Sequence, residues 1–173
     1  MPESTNSGAL NRKPPNQNLV SPLKRILLAE DSEGDIEITL AALEEYHLAN
    51  EVFVVRDGAE ALDYLHHRGQ HASHGNGQPV VVLLDIKMPK VGGLEVLRQM
   101  KADPVLKRLP VVMLTGSREE QDLAKSYQLG ANAYVVKPVD FQQFVDAVKR
   151  LAFFWAIINE PPPGTVGKNE QIG

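Results

Sequence analysis

The 173-residue chain contains no cysteine, which excludes disulfides, thiolate-bound metals and cysteine nucleophiles. It also lacks any apolar run near the roughly 18 residues that a membrane-spanning helix needs. The N-terminal stretch MPESTNSGALNRKPPNQN has no apolar core of a secretory signal. With a formal net charge of −4, the chain has no excess of positive charge for general binding to nucleic acid or to an anionic membrane. We therefore expect a cytoplasmic protein without nucleic-acid or membrane partners.

The remaining composition is that of an ordinary globular domain with polar ends. Apolar residues make up 43% and charged residues 23% of the chain, close to the average for soluble domains. Residues 1–22 are rich in Asn, Pro and Ser, which predicts a disordered N-terminal arm. The run PPPG predicts that no helix continues into a flexible C-terminal tail over 160–173. One domain is expected over 23–159, including an extended last helix.

Short apolar segments alternate with segments of helical periodicity along this domain. This alternation predicts an α/β fold with a five-stranded parallel sheet, doubly wound, with five helices on its two faces. Continuous apolar runs such as VVVLL are typical of strands that are buried on both sides. The predicted strands are 25–29, 52–55, 80–84, 111–114 and 133–136, and the predicted helices follow them at 32–46, from 57, from 92, at 119–129 and at 140–159.

Polar residues collect where these strands end. Glu30 and Asp31 follow the first strand, Asp85 the third, Thr115 the fourth and Lys137 the fifth. Because parallel strands end at one edge of the sheet, these side chains should meet in one crevice. Three carboxylates at close range repel each other, and a hard cation such as Mg²⁺ relieves that repulsion. A carboxylate beside a cation and a lysine is a good phosphoryl acceptor, so Asp85 is the candidate nucleophile.

The motifs ILLAEDS, VVLLDIKMPKVGG, VVMLTG and AYVVKP occur in this order over about residues 24–151. Together they resemble the receiver domain of two-component response regulators. The resemblance implies the flavodoxin-like strand order 2-1-3-4-5 and a protein phosphorylated by a histidine kinase. It would catalyse only its own phosphorylation and dephosphorylation, and it would not act as an independent enzyme.

The resemblance also assigns roles to individual residues. Asp85 would be the phosphoacceptor, Thr115 and Tyr134 the switch residues, and Lys137 the lysine that contacts the phosphoryl group. Magnesium would be bound by Asp31, by Asp85 and by the backbone carbonyl of Lys87, with Glu30 acting through water. These implied roles are what the structure can be compared with.

Two other functions remain open at this point. A phosphatase or mutase with an aspartyl nucleophile needs a second Asp two residues later, where this chain has Lys87. A receiver-like domain that only docks to partners would keep the fold without the chemistry.

The histidines of the segment 66–74 (His66, His67, His71 and His74) are irregularly spaced in a polar, Gly-rich stretch, which favours a flexible surface loop over a metal site.

The end of the last predicted helix is apolar on every side. We expect Trp155 to face the sheet, while Phe153, Phe154 and Ile157 have no partner within a monomer. This pattern predicts a homodimer through the last helix, in which all four residues take part; the alternative is that the PPPG tail covers them. The long loop after the second helix, the run DPVLKRLPVVMLT and the FFW motif resemble small regulators that work with bacterial phytochrome kinases. That resemblance implies a bacteriophytochrome as the kinase, and an output through protein contact or onward phosphotransfer.

Overall fold

The computed structural model describes residues 25–44, 52–73, 77–116, 120–137 and 141–155. Its five strands form one parallel sheet in the order β2-β1-β3-β4-β5, which confirms the predicted doubly wound α/β fold. The strands are β1 (Ile26–Ala29), β2 (Val52–Val55), β3 (Val81–Asp85), β4 (Val111–Thr115) and β5 (Ala133–Val136).

Five α-helices alternate with the strands, as predicted. They are α1 (Glu33–Glu44), α2 (Gly58–Leu65), α3 (Gly93–Ala102), α4 (Glu120–Gln128) and α5 (Phe141–Phe153). Short 3-10 helices lie at Gly69–His71 and Leu106–Arg108. None of the helices within the described residues is both long and apolar enough to cross a membrane.

The sheet is buried on both faces, which explains why its strands are almost entirely apolar. Along β3, Val82 and Leu84 pack into the core layer on one face, whereas Val81 and Leu83 pack into the layer on the other. Asp85 is the last residue of β3 and pairs in register with Leu114 of β4. The strand therefore extends one residue further than predicted, and it delivers the carboxylate at a fixed place on the sheet edge.

The segment after Asp85 is held by two neighbouring helices. Asp57 is the N-cap of α2, where its side chain accepts a hydrogen bond of 2.8 Å from the Glu60 N–H. The same carboxylate accepts a hydrogen bond of 2.6 Å from Lys90 Nζ. At the start of α3, Gly93 lies so close to the chain that a Cβ there would come within 1.9 Å of the Asp85 carbonyl oxygen. These contacts fix the loop that follows the predicted phosphoacceptor.

His71 corrects the prediction of an exposed histidine loop. Its side chain is only 3% exposed, and its ring packs edge-on against Phe53 and Tyr64, with centroid separations of 5.4 Å and 5.5 Å. The side chains of Gln70 and Glu60 contact the ring nitrogen Nε2 of His71. His71 is thus a core residue at this position, and His74 lies outside the described residues.

The end of the last helix is only partly described. Val148 is buried, and Leu151 and Trp155 pack against the same core layer, as expected for the sheet-facing side of α5. Phe154 is 45% exposed and makes an edge-to-face contact with Trp155 at 5.0 Å. The side chain of Phe153, the whole of Ile157, the predicted arm over 1–22 and the predicted tail over 160–173 lie outside the described residues.

Candidate functional site

Adjacent strands bring three carboxylates together at one edge of the sheet. Glu30 follows β1 and Asp85 ends β3, and these strands are paired in the sheet. One carboxylate oxygen from each of Glu30, Asp31 and Asp85 lies within 4.8 Å of the other two. Glu30 and Asp85 are buried, whereas Asp31 is exposed. The predicted acidic crevice is therefore present, open to solvent on the side of Asp31.

Lys137 follows β5 and reaches the carboxylates of this crevice. Its backbone N–H donates a hydrogen bond of 2.6 Å to the carbonyl oxygen of Thr115, which places it at the same edge. Its ammonium group lies 2.9 Å from Asp85 Oδ1 and donates hydrogen bonds to the carboxylates of Glu30 and Asp35. The Lys137 side chain is only 14% exposed, so this cluster of charges is largely shielded from water.

The pKa values of Glu30 and Lys137 are both raised in this cluster. Burial raises the pKa of Glu30, aided by the charge of Asp85, and this outweighs the hydrogen bonds from Lys137 and from the Ser32 N–H. For Lys137, burial acts to lower the pKa, but the hydrogen bonds with Asp35 and Glu30 and the charge of Asp85 raise it above its ordinary value. The two upward shifts therefore have different main causes, which are burial for Glu30 and the neighbouring carboxylates for Lys137.

The second oxygen of Asp85 is fixed by the backbone. Asp85 Oδ2 accepts a hydrogen bond of 2.7 Å from the Lys87 N–H, while Oδ1 faces Lys137. The side chain of Lys87 is exposed. Assignment of the Lys87 carbonyl as a metal ligand stays a prediction. The carboxylate of Asp85 is thus held in one orientation by a donor on each side.

The predicted switch residues Thr115 and Tyr134 lie on β4 and β5. Thr115 is the last residue of β4 and is 1% exposed. Tyr134 is half-buried and packs against the core layer that contains Met113, its register partner on β4. Their positions are compatible with the roles that the resemblance implies, and those roles stay predictions.

Asp35 is a site residue that the sequence analysis missed. It lies in the first turn of α1, and its Oδ2 is 2.7 Å from Lys137 Nζ. The sequence contained a signal for it. Asp35 is an acidic residue in the first turn of the helix that starts shortly after Glu30 and Asp31, so it had to lie near the same edge of the sheet.

The carboxylate cluster has the donor chemistry of a site for a small, hard divalent cation. Such cations prefer oxygen ligands, and the two buried carboxylates, Glu30 and Asp85, lie close to each other and to Asp31. Within the described part of the chain, this is the one group of three or more histidine or acidic side chains arranged to hold a metal. The described histidines are not part of such a group. With a cation bound here, the Asp85 carboxylate would be an oxygen nucleophile close to both that cation and the Lys137 ammonium group.

Comparison with protein-family models gives a match over residues 26–149 to the model described as the response regulator receiver domain. Response regulator Rcp1 from Synechocystis sp. is 36% identical over 135 residues, which is 78% of this chain and 90% of Rcp1. A solved Mn²⁺-bound structure of Rcp1 is 35% identical and covers 80% of this chain and 99% of that one, with a TM-score of 0.74.

Two further solved structures are similar to this chain. The phosphorylated cyanobacterial phytochrome response regulator RcpA is 40% identical and covers 80% of this chain and 98% of that one, with a TM-score of 0.74. The bacteriophytochrome response regulator RtBRR is 59% identical and covers 82% of this chain and 86% of that one, with a TM-score of 0.66. The relatives include both a phosphorylated form and a form with a divalent metal.

Proposed function

Because this chain belongs to the response regulator receiver domain family, whose members are signalling proteins, we propose that Asp85 accepts a phosphoryl group from a sensor histidine kinase. The observation that carries the proposal is the surroundings of Asp85. Its carboxylate is 6% exposed, and its Oδ1 lies 2.9 Å from the ammonium of Lys137. A buried nucleophile beside a fixed positive charge is suited to phosphoryl transfer, in which the transferred group carries negative charge throughout.

The transfer is a single displacement at phosphorus. An oxygen of the Asp85 carboxylate attacks the phosphorus atom of a phosphohistidine; the new O–P bond forms as the N–P bond breaks, and the imidazole leaves with the electron pair. Lys137 donates hydrogen bonds to the phosphoryl oxygens. The Lys87 N–H holds the second Asp85 oxygen at 2.7 Å and so orients the nucleophile.

Glu30, Asp31 and Asp85 would hold a Mg²⁺ ion, with the Lys87 carbonyl as a further ligand. The metal, when bound, neutralises charge on the phosphoryl oxygens and on the carboxylates. The excess of negative charge in the crevice supports this assignment, because Glu30, Asp35 and Asp85 all pair with the single Lys137 and Asp31 lies close to Glu30 and Asp85.

Loss of the phosphoryl group by attack of water on the aspartyl phosphate would end the signal. The chain would then catalyse only its own phosphorylation and hydrolysis. A phosphatase or mutase would require an acid–base carboxylate two residues after Asp85, and this chain has the exposed Lys87 there.

The signal would be read out by protein contact or by onward phosphotransfer. Phosphorylation would draw the Thr115 hydroxyl towards the phosphoryl group and let Tyr134 turn inward, which changes the surface of α4, β5 and α5. Because RcpA and RtBRR are described as phytochrome and bacteriophytochrome response regulators, the kinase partner proposed here is a bacteriophytochrome. A homodimer through the end of α5 is part of the same proposal, and it is supported by the exposed ring of Phe154.

The decisive test is the intact mass of the protein after incubation with acetyl phosphate and Mg²⁺. We expect one added phosphoryl group on the native chain and none on Asp85→Asn. Asp63→Asn is the matched control, because it makes the same change at an exposed position on α2 and should be phosphorylated like the native chain. If neither acetyl phosphate nor a competent histidine kinase phosphorylates the folded native chain, the phosphoacceptor proposal is wrong and a docking-only role replaces it.

A further inference from the structure

Three carboxylates surround the ammonium group of Lys137, which donates hydrogen bonds to Glu30 and Asp35 and lies 2.9 Å from Asp85 Oδ1. An ammonium group has three donors and no acceptor, and the partners here are Glu30, Asp35 and Asp85. Glu30 and Asp85 belong to the carboxylate cluster that fits a cation, and Asp35 does not. Asp35 therefore contacts the lysine of the site from outside the proposed metal ligands.

Asp35 also differs from the other two partners in its surroundings. The side chains of Glu30 and Asp85 are 3% and 6% exposed, whereas that of Asp35 is 36% exposed. Asp35 is carried by the first turn of α1 rather than by a strand end. An acidic residue in the first turn stabilises a helix in any case, but that effect needs no ion pair, and the Asp35 carboxylate lies 2.7 Å from Lys137 Nζ.

The three carboxylate contacts of Lys137 have a consequence for phosphorylation. The oxygens of a phosphoryl group on Asp85 would compete with these carboxylates for the three donors of Lys137. Asp35 is the partner that water replaces most readily, because it is the most exposed of the three. Its negative charge also repels an incoming phosphoryl group, and that repulsion acts at short range in a site that is mostly shielded from solvent.

We propose that Asp35 is a positioning residue that holds Lys137 in the resting arrangement and opposes binding of a phosphoryl group at Asp85. This inference rests on the proposed phosphoacceptor function. Replacing Asp35 by Asn keeps the size of the side chain and removes its charge. The variant should favour the phosphoryl-bound state over the resting state.

The test is calorimetric titration of beryllium trifluoride, a noncovalent mimic of a phosphoryl group, at saturating Mg²⁺. We expect Asp35→Asn to bind it about fivefold more tightly than the native chain, the size expected for loss of one partly exposed ion pair. Asp35→Glu restores the charge and should bind with an affinity between the two. Glu37→Gln removes one charge from an exposed position on the same helix and should bind like the native chain.

Two further measurements separate this role from other roles of Asp35. A purely structural role in α1 would lower the melting temperature of Asp35→Asn without tightening beryllium trifluoride binding, and that result would overturn the proposal. A role as a cation ligand would weaken Mg²⁺ binding in the absence of beryllium trifluoride by about tenfold or more, as loss of a metal-site residue does, and would also overturn it. We expect Mg²⁺ affinity to change less than about threefold.

The native chain reports separately on the proposed function. If the folded native chain binds beryllium trifluoride and Asp35→Asn binds it no more tightly, the role of Asp35 is wrong while the phosphoacceptor site stands. If neither the native chain nor any variant binds it, the phosphoacceptor proposal fails, and the role of Asp35 fails with it.

Discussion

At the scale of single residues, Lys137 and Lys90 have opposite surroundings. Lys137 is 14% exposed and contacts three carboxylates, so its removal would leave those charges facing each other in a shielded crevice. Lys90 is 68% exposed and pairs with Asp57. An exposed ion pair contributes little to stability. We therefore expect loss of Asp57 to reduce the free energy of unfolding more than loss of Lys90.

Asp57→Ala should lower the free energy of unfolding by about 1–2 kcal/mol at neutral pH, because it removes the N-cap of α2. Lys90→Ala should have a much smaller effect, because an exposed ion pair is screened by solvent. Burial acts to raise the pKa of Asp57, but the hydrogen bonds from Lys90 and from the Glu60 N–H hold it below its ordinary value of 3.8.

The pKa of Asp57 sets a pH dependence that checks this prediction. A carboxylate with a lowered pKa in the folded state contributes its stability above the unfolded-state value, and that contribution is lost as the pH falls through the folded-state pKa. The difference between the native chain and Asp57→Ala should therefore shrink in acid. Urea unfolding at neutral pH and at about pH 3 measures it. A difference that stays constant with pH would contradict the assigned role of the charge.

At the scale of elements, the close approach of α3 to the end of β3 determines where Asp85 lies. The Gly93 N–H donates a hydrogen bond of 2.9 Å to the Ile86 carbonyl oxygen, and the Gly93 Cα faces the Asp85 backbone with no space for a side chain. Gly34 in α1 is the opposite case, because a Cβ there would meet nothing within 4 Å. Packing therefore requires a glycine at position 93 but not at position 34.

Gly93→Ala should destabilise the protein by about 2–3 kcal/mol, because the added methyl group must push apart two backbone segments. It should also slow phosphorylation by acetyl phosphate, since the same shift moves Asp85. Gly34→Ala should be neutral or should stabilise the protein by up to about 1 kcal/mol, because Ala is favoured over Gly within a helix. Thermal unfolding and intact-mass kinetics on both variants give the comparison. Equal effects of the two substitutions would disagree with this account.

At the scale of the whole molecule, the order of the strands assembles the site. Glu30 and Lys137 are 107 residues apart in sequence and share a hydrogen bond. They meet because β1 and β5 belong to the same parallel sheet, so the residues that follow these two strands lie at the same edge. Phe154 follows the C-terminal end of α5, and its side chain is exposed. The proposed homodimer would form at this ring.

Phe154→Ser should shift the protein towards the monomer if α5 forms the dimer interface. An exposed aromatic ring contributes to association mainly through the apolar area that it buries. Leu123→Ser is the matched control, because Leu123 is also a partly exposed apolar residue, 38% exposed, but lies on α4. Sedimentation equilibrium of the native chain and both variants distinguishes the two surfaces. If the control weakens the dimer and Phe154→Ser does not, the interface lies on α4.

The sequence alone determined the fold, the place of the site and its family resemblance. Strands buried on both faces must be apolar throughout, so five such runs between helical segments specify a parallel α/β sheet. Parallel strands end at one edge, so polar residues after β1, β3, β4 and β5 had to lie near each other. These inferences needed only local patterns and one general rule of sheet geometry.

The tertiary structure decided which side chains touch. Asp35 and Lys137 are 102 residues apart, and their contact depends on where α1 lies relative to the residue that follows β5, which no local sequence pattern specifies. The burial of His71 against Phe53 and Tyr64 likewise overrode a polar, Gly-rich segment that indicated a surface loop. Side-chain partners follow from the distances between whole elements, and packing of the complete chain fixes those distances.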